Sequence, residues 1–115
     1  MTLLVNVFKR GSNGEMLFIP VEHHKELAGF ESWRETLYGS PQSIQLGLHL
    51  LSKLNHEDLY CASPTDLDRL HTECDTLLAH LDQYPQNPES ITCRIQNIID
   101  AVELARESEA EVVIW

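Results

Sequence analysis

The chain has 115 residues, 43% of them apolar and 23% charged, a composition that fits one globular domain over residues 1–115 and excludes a disordered polar segment. Eighteen acidic residues against eight basic ones give a formal net charge of -10, which argues against nucleic acid or an anionic membrane surface as partner, because phosphates repel such a chain. Acidity of this size serves either solubility or a cationic protein partner.

Leu3, Val5 and Val7 alternate with Thr2, Leu4, Asn6 and Phe8, a strand pattern with one strongly apolar face and some apolar weight on the other. Gly11-Ser12-Asn13-Gly14 then reads as a turn, and Met16 to Val21 as a second strand that Pro20 ends or holds at an edge. Residues 2 to 21 are therefore expected to form a hairpin. Residues 22 to 29 are polar and irregular. Phe30, Trp33 and Leu37 follow at i, i+3 and i+7 on one side of a short predicted helix that Gly39 closes in a left-handed conformation.

Three pairs, Ser40-Pro41, Ser63-Pro64 and Asn87-Pro88, each open a segment with helical apolar spacing. A Ser or Asn at the N-cap accepts from an otherwise unpaired amide, and proline at the first helical position has no amide to leave unpaired. After the first pair, Ile44, Gly47, Leu48, Leu51 and Leu54 form one stripe with Leu46 and Leu50 beside it, which predicts a central buried helix with Gly47 at a close crossing. Residues 55 to 62 read as a linker. After the second pair, Leu67, Leu70, Cys74, Leu77 and Leu81 predict an amphipathic helix, with Asp66 placed to act as a capping-box acid. The third pair launches a helix whose inner face carries Ile91, Ile95, Ile98, Val102 and Ala105. Glu111 to Trp115 returns to a β pattern that needs a partner, and the N-terminal hairpin is the available sheet. The expected fold class is α+β: a small antiparallel β-sheet, made of the N-terminal hairpin and the C-terminal strand, packed against about four α-helices. The regular spacing of the three capped prolines is not a repeat, since the residues after them do not match beyond apolar spacing.

Nothing in the chain has the spacing of a catalytic, phosphate-binding or metal motif, and no cofactor is expected. His23-His24 beside Glu22, and His71 with Cys74 at i, i+3, are the nearest approaches to a metal site, but structural zinc needs four ligands at recognisable spacing, so no metal is expected. Cys61, Cys74 and Cys93 form an odd set without a Cys-x-x-Cys pair, and the run from Met1 to Phe8 has neither the length nor the basic flank of an export signal. These features point to reduced thiols in a cytoplasmic protein. No apolar stretch approaches the roughly 20 residues of a membrane span.

The acidic residues sort by position. Asp66 and Asp68 lie in the first turn of their helix, where the helix dipole favours negative charge. Glu103, Glu107 and Glu109 crowd the C-terminal part of the last helix, with Glu111 just beyond, where the dipole disfavours them and Arg106 alone offsets them locally. Asp100, Glu103 and Glu107 also stand at i, i+3 and i+7 on one face. Charge placed against a local rule marks Asp100, Glu103, Glu107, Glu109 and Glu111 as the candidate partner-binding surface, beside the plainer account of a solvated helix face.

The block Gly29-Phe30-Glu31-Ser32-Trp33-Arg34-Glu35-Thr36-Leu37-Tyr38-Gly39-Ser40, the later Leu46-Gly47-Leu48, and Val112-Val113-Ile114-Trp115 together resemble small acidic bacterial immunity proteins of toxin-immunity systems. That resemblance implies a non-enzymatic, stoichiometric inhibitor of a cognate, often basic, toxin, and it transfers no contact residues. Two alternatives come from other classes. One is a small enzyme or ligand-binding domain using Cys61 with His56 or His71; the other is a structural or regulatory homodimer in which Trp115 and the terminal strand extend a sheet across a two-fold axis.

Overall fold

The computed structural model describes residues 2–115. Its strands are β1 (Thr2–Arg10), β2 (Met16–Ile19), β3 (Leu27–Phe30), β4 (Leu59–Cys61) and β5 (Glu111–Ile114), and its helices are α1 (Pro41–Gln45), α2 (Pro64–Leu78) and α3 (Pro88–Ser108). The strands form one antiparallel five-stranded sheet in the order β2-β1-β5-β4, with β3 paired to the N-terminal end of β1. Strand β1 is the spine: β2 pairs with Val7 to Arg10, β3 with Thr2 to Leu4, and β5 with Val5 to Phe8.

Alternation along β1 separates two faces. Leu3, Val5 and Val7 point inward, joined from β5 by Val112 and Ile114 and from β4 by Leu59 and Cys61. They pack with Leu67, Leu70, Cys74 and Leu77 of α2 and Ile91, Ile95, Ile98, Val102 and Ala105 of α3 in one core. The outer face carries Leu4, Asn6 and Phe8 of β1 beside Val113 and Trp115. Phe8 and Val113 are fully buried yet lie outside the main core. They belong to a second, smaller apolar layer.

The three capped prolines start helices as expected. Ser40 Oγ accepts from the Ser43 amide at 3.2 Å, Ser63 Oγ from the Asp66 amide at 3.1 Å, and Asn87 Oδ1 from the Ser90 amide at 3.1 Å. The hairpin and the terminal strand also form, and β2 stops at Ile19, just before Pro20.

The middle of the chain departs from expectation. Residues expected to be irregular include a 3-10 turn, His23–Glu26, and strand β3. The helix expected around Phe30, Trp33 and Leu37 is a single wide turn, Arg34–Tyr38, and Phe30 ends β3 instead, half exposed. Gly39 closes that turn at φ -100, not in the left-handed region; glycine suits it because a Cβ would lie 2.4 Å from Asn55 Cβ and 2.6 Å from the Arg34 carbonyl. The expected long central helix is the five-residue α1, broken at Gly47 with φ +81, followed by a 3-10 turn over Leu51–Asn55. Nothing crowds a Cβ at Gly47, so its glycine serves a left-handed bend and not a helix crossing. Ile44, placed on the buried stripe, is exposed. The expected linker contains β4, so among the described residues the sheet has five strands; the three α-helices there are roughly the number expected.

Two side chains hold this irregular segment. Arg34 donates through Nη1 to the carbonyls of Leu54 and Glu57, both at 3.1 Å, and through Nη2 to Asp58 at 2.8 Å, while its Nε meets Glu31. Burial disfavours its charge, but the hydrogen bonds with Asp58 and Glu31 outweigh that and raise its pKa. Glu73 of α2 is buried, and its carboxylate accepts from the amides of Leu50 at 3.0 Å and Leu51 at 2.9 Å. Those amides open the Leu51–Asn55 turn and have no earlier carbonyl to bond, so Glu73 caps the turn from a distance.

Glu73→Ala leaves two buried amides unpaired and is expected to lower unfolding free energy by about 2–4 kcal/mol in urea titration. Glu73→Gln keeps one acceptor oxygen and loses less. Equal losses would show that side-chain bulk at position 73, and not the hydrogen bonds, sets the stability.

Candidate functional site

The cysteine-based alternative meets the geometry first. Cys61 is not in a loop: it sits on β4 opposite Val112, facing the core with no exposure. Burial pushes its thiol up to about 12, with the charges of Asp66 and Glu73 adding to the shift. A nucleophilic cysteine needs the opposite. Cys74 is likewise buried in the core, and burial first and then Glu73 raise its thiol pKa. Cys93 is exposed on α3.

Three of the six histidines, His23, His24 and His71, have carboxylate neighbours. His23 Nδ1 lies 3.6 Å from Glu26 and His24 Nε2 3.4 Å from Glu22, both on the surface. Among the described residues no group of three or more His, Cys, Asp or Glu side chains is arranged to hold a metal ion. His71 lies at the seam of α2 and α3, with Nδ1 3.1 Å from Asp75 and Nε2 3.9 Å from Glu103.

The five carboxylates singled out above divide into two groups. Asp100, Glu103 and Glu107 do share one ridge of α3: Asp100 is half-buried and accepts from Gln96 Nε2 at 3.0 Å, and Glu103 and Glu107 are exposed. Glu109 and Glu111 lie elsewhere. Glu109 is the residue just past α3, at φ 53 and ψ 48, and the Ala110 amide reaches back to the Ala105 carbonyl at 2.8 Å. This closes the helix in the way a glycine usually does, so a glutamate occupies a backbone conformation that side chains disfavour. Glu111 stands on β5 and pairs with Arg10 of β1 at 3.3 Å, which fixes it to the sheet. Arg106 does not offset the helix-end acids; it pairs with Asp68 of α2. Arg106, Glu109 and Glu111 border a groove of about 570 Å³ floored by Ala62, Pro64, Leu67, Ala105 and Ala110, between the start of α2 and the end of α3.

Sequence reasoning missed the outer face of the sheet. Phe18 is directly opposite Phe8, and its ring lies 6.0 Å from that of Trp115. Trp115 Nε1 donates to Asn6 Oδ1 at 2.9 Å, and Asn6 Nδ2 donates to Glu26 Oε1 at 3.3 Å. The signal was present as Asn6, a polar residue between Leu4 and Phe8 on one face of a strand.

Comparison with protein-family models, with curated proteins and with solved structures returns no match for this chain. Among the described residues no helix is long and apolar enough to cross a membrane.

Two outcomes test these placements. With a thiol reagent at pH 8, Cys93 is expected to react promptly, and Cys61 and Cys74 only as fast as the protein opens. Prompt labelling of Cys61 in the native protein would restore it as a reactive thiol. Glu109→Gly should raise unfolding free energy by about 0.5–1 kcal/mol, since it relieves the left-handed backbone and removes a charge from the wrong end of the dipole.

Proposed function

We propose that the chain is a non-enzymatic binding protein for a basic protein partner, working as an immunity protein does by occupying its toxin. The observation that carries this reading is that three carboxylates without a lysine or arginine partner share one face of α3. Of the eight lysines and arginines, Arg10, Arg34, Arg69 and Arg106 are engaged by Glu111, Glu31 with Asp58, Asp66 and Asp68. Among the described residues, Asp100, Glu103 and Glu107 have no lysine or arginine partner. The result is a one-sign ridge on a chain of formal net charge -10.

Such a ridge attracts a cationic surface over about a Debye length and orients it before contact. Its contribution is to the rate of encounter more than to the final affinity, because exposed ion pairs are worth little in water. The reading built on Cys61 receives no comparable support, since that thiol faces the core and burial raises its pKa.

The first partner to try is a toxic domain encoded immediately upstream of this gene. At low ionic strength the double variant Glu103→Lys/Glu107→Lys is expected to slow association, read by stopped flow, roughly tenfold. The unmodified protein should itself slow steeply as salt is added. An unchanged on-rate would remove the ridge as the surface that guides binding.

A further inference from the structure

Helices α2 and α3 pack on the inner face of the sheet, and Leu4, Asn6, Phe18 and Trp115 stand on the other face with only side chains over it. Phe18 and Tyr60 are each about half exposed there, at 50% and 46%. A groove of about 500 Å³ runs along this face, lined by Leu4, Asn6, Phe18, Ile19, Pro20 and Glu26.

Its chemistry is specific. The rings of Phe18 and Trp115 are 6.0 Å apart and inclined by 38°, forming an open aromatic corner. Asn6 stands beneath, holding the Trp115 indole at 2.9 Å and the Glu26 carboxylate at 3.3 Å. Glu26 also lies 3.6 Å from His23 and is 27% exposed. A carboxylate can accept about four hydrogen bonds, so it keeps lone pairs for a ligand. The other charges on this face, Arg10 and Glu111, neutralise each other at 3.3 Å.

A second copy of the chain suits this face poorly. Four strands about 4.8 Å apart span about 19 Å, and a paired length of about four residues at about 3.3 Å each adds about 13 Å, so the face offers roughly 250 Å², well short of the ~800 Å² per partner of a stable interface. Two chains of charge -10 also repel. A small, apolar, negatively poised groove takes a single cationic side chain instead.

We propose that this groove binds an arginine side chain of a basic polypeptide, with the guanidinium against the Phe18 and Trp115 rings and paired to Glu26. The aliphatic stem lies along Leu4 and Pro20. Arginine fits better than lysine because its planar fork stacks on rings and meets a carboxylate through two donors at once. The proposal rests on the basic-partner reading but places the contact on the side of the sheet away from the α3 ridge.

The test is an NMR titration of the isotope-labelled full chain with a short capped peptide, Gly-Arg-Gly-Arg-Gly, and with the same peptide carrying neutral citrulline. The arginine peptide should shift the Trp115 indole N–H saturably, leave that of the buried Trp33 in place, and outcompete the citrulline peptide. Glu26→Gln and Phe18→Ala should each weaken binding about fivefold or more. Shifts confined to the α3 ridge, lost in Glu103→Lys/Glu107→Lys and untouched by Glu26→Gln, would overturn the groove and leave the basic-partner reading standing. Absence of any arginine-dependent shift would also overturn the groove. Salt-sensitive association with a basic protein would then decide separately whether the wider reading survives.

Discussion

Strand β1 is apolar on both faces and paired along both edges, and most of the architecture follows from satisfying it. Its nine residues present a row of backbone donors and acceptors on each side, and leaving either row open would invite pairing with another chain. β2 and β3 divide one edge, and β5 takes the other. The inner side chains Leu3, Val5 and Val7 then require a cover, which α3 supplies with its isoleucine stripe. The outer side chains receive a thinner cover. Phe18 and Arg10 close over Phe8, Arg10 at 5.1 Å from the ring centroid, Trp115 lies against Phe18, and no helix follows. The aromatic groove is thus the consequence of a strand with two apolar faces in a chain that builds only one helical layer.

Legibility in the sequence tracked the range of the interactions involved. The proline-capped helices and the hairpin depend on contacts within a few residues, and Ser63, Asn87 and Pro20 announce them. The segment from Glu22 to Ala62 does not. Its strands β3 and β4 have four and three residues, too short for a period to be read, and they exist because β1 and β5 offer edges to pair with. Its turns are held by Arg34 and Glu73, each bonded to backbone some twenty residues away. Leu46, Leu48, Leu50, Leu51 and Leu54 looked like two helical stripes because a bend at Gly47 also buries leucines, by folding the chain over and not by winding it.

The same distinction governs the candidate sites. That Asp100, Glu103 and Glu107 share a face follows from helix period alone, so the ridge was readable. Glu109 and Glu111 were grouped with it by nearness in sequence, and the left-handed residue at the helix end separates them: Glu109 forms the helix end itself, and Glu111 passes onto the sheet, opposite Phe8 and paired with Arg10. The outer groove joins Asn6, Phe18 and Glu26 from three places in the chain, with Trp115 from a fourth set against Asn6 and Phe18. Only the pairing of β1 with β2 and β5 assembles it.

The ridge and the groove occupy opposite sides of a two-layer fold, and this constrains what a single partner can do with both. A rigid globular partner that covers the helical ridge cannot also seat a side chain behind the sheet. A partner with a basic extension can, because an extended segment covers about 3.3 Å per residue and needs roughly 12–15 residues to pass around a domain whose shorter dimensions are 26 and 24 Å. The long-range pull of the net charge and the short-range fit of the aromatic corner would then act in sequence on one ligand, the first setting how fast it arrives and the second how long it stays. If instead the partner is compact, the two surfaces compete, and the one whose removal changes dissociation is the contact face. The short-range term decides this, since a screened charge on an exposed helix seldom holds a complex together and a desolvated guanidinium between two rings can.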